Sequence, residues 1–398
     1  MNIRKITPSF TKSLILIWLC HLILDFFTGI WPMYKTIAQI DLVTAGLIAG
    51  LSGFIGESLQ LFFGYFSDRG YRKHFLILGL LLASSVLWVT AANNAPSYFL
   101  LLLLLMIGSG AFHPAAAGFA GSISSNRKSR CILFFASGGA LGLAISQLAF
   151  TQILKSYHGG AFILLLPVAI VLALVIFYPF ESPNTLQPSL KKLFQPIFRE
   201  RKSLSLLYFT QVANFTLMTA FVFLLPDLMR AKGCHTWLCM GGGHLCFILG
   251  GALLMVPIGY LCDRYGQKQI LLIIITTAFF LLHHFLAKPD FSLLESTFFL
   301  TLLGGFMGSI NPILVSWGNR LVPESPSTVS ALLMGCAWCL GSLGSIWAGV
   351  IARAIEIEPI PNTLFWMGFF LLGSFLLVLC TQKPELYKEA VPDYSTES

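Results

Sequence analysis

The sequence predicts an all-α integral membrane protein with twelve transmembrane helices arranged as two six-helix bundles. Three observations carry this expectation. Mean hydropathy is +0.79 and only 11% of the 398 residues are charged, against roughly 25% in ordinary soluble domains. Apolar stretches recur along the whole chain, each close to the ~20 residues that cross about 30 Å of hydrocarbon as a helix. Two short motifs also recur in the same order about half a chain apart.

A water-soluble fold could not hide this much apolar surface. A membrane barrel would show alternating segments of roughly ten residues with a polar lumen face, and the apolar runs are continuous instead. Breaks at Gly, Pro and charge place helices near 13–36, 43–66, 74–92, 96–119, 131–155 and 161–179. The second set falls near 204–229, 241–262, 268–287, 291–318, 328–353 and 363–381. The N-terminus imitates a signal peptide, but its apolar stretch is too long and contains His21 and Asp25, so an uncleaved first helix is expected. The expected organisation is an N-terminal bundle over 1–180, a linker over 181–203, a C-terminal bundle over 204–382 and a tail over 383–398. Pro183, Pro188 and Pro196, with Lys191, Lys192, Arg199, Arg201 and Lys202, suit a partly amphipathic surface linker.

The net charge of +8 does not form one basic patch with interleaved aromatics, so a nucleic-acid partner is not expected. Topology explains it: 19 Lys and Arg fall on the side that holds both termini and 6 on the other. By the positive-inside rule, both termini are expected in the cytoplasm. That count leaves no Lys or Arg in the middle of a span, which disfavours a cationic clamp for organic phosphates. Most of the nine cysteines lie in apolar runs as small buried hydrophobes; Cys234 and Cys239 fall near one external loop, where either a disulfide or a bystander pair fits.

The internal repeat is read directly. Gly64-Tyr-Phe-Ser-Asp68-Arg69-Gly-Tyr-Arg72-Lys73 follows helix 2, and Gly259-Tyr-Leu-Cys-Asp263-Arg264-Tyr-Gly266-Gln-Lys268 follows helix 8, 195 residues on. In helices 4 and 10, Gly108-Ser-Gly-Ala-Phe-His113-Pro114 matches Gly305-Phe-Met-Gly308-Ser-Ile-Asn311-Pro312 at an offset of 198. Membrane transporters are commonly built from two such related bundles with the site between them. Physically, Gly64 and Gly259 allow close helix approach. Asp68 and Asp263 can engage a helix N-terminus or neighbouring Arg and Lys, which would hold one end of the bundle shut.

The loop pattern resembles the signature of the major facilitator superfamily in both halves, which implies the two-bundle fold and transport by alternating access. The first copy departs from it at Tyr71, where the family has Gly, leaving the tightness of that turn open. His21-Leu-Ile-Leu-Asp25 together with Phe112-His113-Pro114 is similar to the fosmidomycin resistance protein group of efflux carriers, which implies proton-driven export of a small toxic compound. The helix-5 segment Ser137-Gly138-Gly139-Ala-Leu-Gly142 lacks the Gly-Pro ending usual in antiporters, which leaves the direction open.

An ionised side chain at mid-membrane costs about 2.5–3.5 kcal/mol even on the lenient insertion scale, so such residues are functional candidates. Asp25 and His21 lie one turn apart on one helix face and can share a proton. Glu57, on a helix carrying Gly50, Gly53 and Gly56, is the second proton-site candidate. His113, its repeat mate Asn311, Gln147 and Asn214 are the substrate-contact candidates. His244 and the pair His283-His284 sit nearer span ends, where interfacial structural roles are expected. No Walker loop, metal-ligand spacing or nucleophile-base motif stands out, so no cofactor, metal or enzymatic role is expected. The expected function is proton-coupled export of a small amphiphilic or drug-like compound by a monomer in a lipid bilayer. Import of a nutrient such as a sugar or organic acid is the alternative, hinted at by Glu181-Ser182-Pro183. A membrane-embedded enzyme or scaffold ranks below both.

Overall fold

In the computed structural model, residues 8–123, 128–157, 160–178, 195 and 197–382 are described. Glu181-Ser182-Pro183, Lys191, Lys192 and the tail 383–398 lie outside them. The described chain is helical, with no strand. Helix α1 comprises Pro8–Thr28 and Ile30–Ile37, α2 Leu42–Ser58 and Gln60–Phe66, and α3 Arg72–Ala83. Next come α4 (Ala95–Ser122), α5 (Lys128–Ser156) and α6 (Leu165–Phe177). The second half contains α7 (Arg201–Ala231), α8 (Gly243–Tyr265), α9 (Gln267–Ala287) and α10 (Leu293–Leu321). It ends with α11 (Thr328–Ala354), whose last segment is Gly344–Ala354, and α12, made of Pro359–Met367 and Phe369–Cys380.

By length and hydropathy, eleven helical stretches can cross a membrane, one of them the 47-residue run Leu42–Trp88. At 1.5 Å per residue, 47 residues would reach about 70 Å, more than twice the hydrocarbon thickness. The run reverses instead at Arg69 (φ −94°) and Gly70 (φ 97°). Its two arms pack on the same stretch of α4: Gly56 against Met106 and Gly110, Gly79 against Gly108 and Phe112. It therefore counts as two spans, α2 and α3, and the total among the described residues is twelve.

The loop motif resolves the question at Tyr71. In the second copy the left-handed residue is Gly266 (φ 92°); in the first it is Gly70 (φ 97°), one position earlier. Only glycine adopts such a φ without strain, so the turn has moved by a residue and Tyr71 is free to be a tyrosine. Each motif lysine does the same work in its half. Lys73 Nζ donates to the carbonyls of Ile176 and Tyr178 at 2.7 and 3.1 Å, and Lys268 Nζ to those of Leu379 and Thr381 at 2.8 and 2.6 Å. These carbonyls end α6 and α12, where the last turn of a helix has no intrahelical donors and carries partial negative charge.

The repeat also extends into packing. Gly56 of α2 meets Gly110 of α4, and their repeat mates Gly251 and Gly308 meet between α8 and α10. Between helices already surrounded by lipid tails, association relies on van der Waals fit, which bare backbone maximises.

The halves touch through three helix pairs. Ser345 and Ser342 of α11 lie against Gly46 and Gly50 of α2, their hydroxyls 3.3 Å from those two carbonyls. His244 Nε2 of α8 is 2.9 Å from the Leu143 carbonyl of α5. Lys35 of α1 forms an ion pair with Asp227 of α7, and Arg230 Nη1 donates to the Thr36 carbonyl at 2.9 Å. Among the described residues, the ion pair and most hydrogen bonds that join the halves lie toward the end opposite the termini, while the Cys339 thiol donates to the Phe54 carbonyl midway along α2 at 3.3 Å. That end is sealed.

Two expectations are corrected here. Lys35, counted as a loop charge, lies in a helical segment and is 1% exposed; an ammonium so deeply buried requires a partner, and Asp227 supplies it. His244 is 1% exposed, packed between the two halves. His283 fits the structural role expected of it, with Nδ1 donating to the Phe279 carbonyl at 2.8 Å and its ring packed against Phe365.

Candidate functional site

A cavity of about 450 Å³ lies between the halves, beneath the sealed end. Its walls differ. From the first half, α1, α2 and α4 contribute Asp25, Thr28, Glu57, Gln60, Ser109 and His113; from the second, α7, α8 and α11 contribute Phe215, Met218, Val222, Phe223, Ile248 and Trp338, with Thr219 of α7, Asn311 of α10 and Ser342 and Ser345 of α11 as polar exceptions. Ionisable groups therefore face an apolar, aromatic wall.

Asp25 is the centre of the polar wall. His21 Nε2 lies 3.2 Å from Asp25 Oδ2, one turn away on α1, and His113 Nε2 of α4 lies 3.4 Å from Asp25 Oδ1. The remote nitrogens of both rings are held by backbone: His21 Nδ1 is 2.9 Å from the Phe135 carbonyl and His113 Nδ1 2.9 Å from the Ser109 carbonyl. A carbonyl oxygen only accepts, so the network assigns the hydrogen to Nδ1 in each ring. Each Nε2 then faces a carboxylate oxygen across a gap that a proton must fill, because two acceptors do not attract. The Asp25 and His113 side chains, 18% and 30% exposed, are reachable from the cavity.

The sequence expectation had left Asp25 without a cationic partner. The fold supplies two imidazoles, one from a helix 88 residues away. Room for them comes from α5: a β-carbon on Gly139 would collide with His21 Nε2 and Asp25 Oδ2, so only glycine fits there. Phe135 also stacks on His21 at a centroid separation of 4.1 Å. Gly139 belongs to the glycine-rich helix-5 segment noted in the sequence, and the segment's role as a seat for the trio emerges only from packing. The three side chains also have the ligand types and spacing to hold a metal ion, their donor atoms lying within 4.8 Å of one another.

Glu57 is buried on the cavity wall and accepts a hydrogen bond from Gln60, three residues on. Asn311 lines the cavity and accepts from Gln211 Nε2 at 2.8 Å. Gln147 and Asn214 do not belong to the wall: both are 0% exposed, packed inside the helix bundle. Helix rotation, which hydropathy does not report, keeps them off the cavity wall. Trp31 and Trp338 line it, whereas Trp317 is fully buried. The Cys239 thiol donates to the Cys234 carbonyl at 3.3 Å, and both cysteines are free thiols.

The motif charges are held within their own halves in this conformation. Arg72 Nη2 donates to Asp68 Oδ1 at 2.9 Å, and Arg320 Nη2, at the end of α10, donates to Asp263 Oδ1 at 2.7 Å. Arg69 lies over the Tyr65 ring at 3.4 Å, and Arg264 over Tyr265 at 5.2 Å.

Two six-helix bundles packed around a central cavity, with ionisable groups at mid-membrane depth, define a polytopic carrier. The chain belongs to the Major Facilitator Superfamily, whose sequence model matches residues 14–346. It is 22% identical to an uncharacterized MFS-type transporter, YfnC, of Bacillus subtilis (strain 168), over 94% of this chain and 95% of that protein. It is 24% identical to the fosmidomycin resistance protein of Escherichia coli (strain K12), over 91% of each. Among solved structures, a bacterial homolog of the human lysosomal transporter Spinster, inward-facing and occupied, superposes with a TM-score of 0.79 at 12% identity, covering 94% of this chain and 97% of that one. The nucleoside transporter NupG superposes with a TM-score of 0.74 at 12% identity, covering 94% and 99%. The protein is a multi-pass membrane transporter of a small molecule and not an enzyme.

The seal yields a direct expectation. Asp227→Asn leaves the Lys35 ammonium buried without a counter-charge, a loss of about 3–5 kcal/mol where both partners are desolvated, read as a lower melting temperature in detergent. The double variant Lys35→Met/Asp227→Leu removes both charges and regains most of that stability. If the effects of the two sites simply add, the pair is not coupled and the seal rests on the helix contacts alone.

Proposed function

We propose that the protein is a proton-coupled exporter of a small, drug-like molecule that works by alternating access. One observation carries the reading: a carboxylate bridged to two imidazoles across proton-sized gaps, facing a cavity sealed at one end. His21, Asp25 and His113 all belong to the first half, so the trio moves as one body when the halves rock, while the wall opposite belongs to the second half. Protons loaded while the cavity faces one compartment are released once it faces the other, the requirement for coupling to a gradient. The full-length likeness to a fosmidomycin resistance protein supports export over import. The working unit is a monomer in a bacterial inner membrane with both termini cytoplasmic, supported by the 19-to-6 split of basic residues and by the bacterial relatives.

Asp68 and Asp263 act in this reading as gate charges. They are held by Arg72 and Arg320 in this conformation, and cross the interface when the end bearing the termini closes.

In proteoliposomes with an imposed proton gradient, Asp25→Asn abolishes gradient-driven flux of a compound identified by resistance screening, while the protein still inserts and purifies. Full proton-driven flux in that variant would make Asp25 a structural acid and move the coupling role to Glu57. In the same assay Asp68→Asn slows transport at unchanged protein level; a wild-type rate would reduce the motif charges to ordinary loop residues. For topology, a reporter that is active only in the cytoplasm gives signal when fused to the C-terminus. Signal from a periplasm-specific reporter there would invert the orientation.

A further inference from the structure

The cavity wall contains two carboxylates, Asp25 and Glu57, and among the described residues no Lys or Arg. Their situations differ. Asp25 is balanced by two imidazoles from its own half. Glu57 is 5% exposed and, among the described residues, is held only by the amide of Gln60. The titratable groups near it are His113 of α4, Asp25 of α1 and the Cys339 thiol of α11, and none of these is a dedicated counter-ion. A buried carboxylate held by one neutral amide lacks the compensation that ionised groups in a low-dielectric interior require. Whatever fills the cavity can supply it.

The opposite wall indicates the rest of the occupant. Trp338 and Phe215 pack edge to face, with centroids 4.2 Å apart, and Met218 and Met334 widen this surface. Gln60 reaches toward α11, its Oε1 3.4 Å from where a β-carbon on Gly335 would stand, so the acidic hook and the aromatic surface meet at one place. Aromatic faces attract cations, most strongly where water is excluded, and thioethers adapt to irregular apolar bodies. An anion would meet two carboxylates and no fixed cation.

We propose that Glu57, positioned by Gln60, is the subsite for the positive end of an amphipathic organic cation whose apolar body rests on Trp338 and Phe215. The proposal rests on the reading of this cavity as the substrate path and adds the chemical class of the substrate. Neither charge contact needs the proton trio, so cation binding and proton coupling occupy adjacent places on one wall.

The test uses the purified full-length chain in detergent, without a gradient, and two probes of nearly the same shape and opposite charge: tetraphenylphosphonium and tetraphenylborate. Equilibrium binding is expected for the phosphonium, at least about tenfold tighter than for the borate. Glu57→Gln weakens phosphonium binding by about tenfold or more and removes the preference, the change a lost buried charge contact brings, whereas Glu57→Asp retains the preference. Trp338→Ala weakens phosphonium binding and Trp338→Phe restores much of it. Monodisperse elution and an unchanged melting temperature establish that each variant is folded. Equal binding of the two probes, tighter borate binding, no binding of either, or an unchanged preference in folded Glu57→Gln would each overturn the proposal. Because the assay involves no proton gradient, its failure is distinct from retained proton-driven flux in Asp25→Asn, which would overturn the coupling mechanism instead.

Discussion

A carboxylate in the middle of a membrane bundle has to be surrounded by partners, because lipid offers none and water is distant. In this protein that requirement organises the first half. Asp25 on α1 draws His21 from its own helix and His113 from α4, α5 gives up a side chain at Gly139 to make space, and the carbonyls of Phe135 and Ser109 orient the two rings. Three helices are thus committed to one group. Among the described residues the second half places no equivalent on the cavity wall: at the position matching His113 stands Asn311, bonded to Gln211, and the rest of its wall is uncharged, apolar apart from the hydroxyls of Thr219, Ser342 and Ser345. The two bundles share a fold and divide the chemistry.

The same electrostatic rule shapes the sealed end. Lys35 and Asp227 come from opposite halves and neutralise each other where neither could remain alone. Lys35 Nζ also stands 4.4 Å from the centroid of the Phe223 ring, and Phe223 lines the cavity. The closing contact and the binding surface therefore share a side chain, so an occupant that moves Phe223 acts on the seal. Around this pair, the small residues of α2 and α11 bring backbones close enough for serine hydroxyls to reach carbonyls across the interface. Such contacts are numerous and individually weak, which suits an interface that must open and reclose.

Glycine placement links the repeat to packing. Gly56 with Gly110, and Gly251 with Gly308, place helices at equivalent crossings in each half. Gly70 and Gly266 turn the chain between spans from positions that differ by one residue. That shift shows what is being preserved: a left-handed turn that delivers Lys73 or Lys268 to the exposed carbonyls of α6 or α12, and not a particular spelling of the motif.

Helix number, span limits to within a few residues, the twofold repeat and the choice of Asp25, His21, Glu57 and His113 as residues of interest were legible in the chain. All depend on local quantities: hydropathy over a helix length, the conformational needs of Gly and Pro, and the cost of ionisable groups in lipid. The sequence by itself also determined that an acid and a histidine share one face of α1, since four residues make one helical turn. Which side of a helix faces the cavity was decided only by tertiary structure. Gln147 and Asn214 are fully buried off the cavity wall, His113 reaches Asp25 across 88 residues, and Lys35 finds Asp227 across 192. In an apolar chain nearly every helix face is hydrophobic, so the periodicity that reveals the buried side of a soluble helix is faint. Helix rotation is then set by close packing and by the few polar groups that must meet.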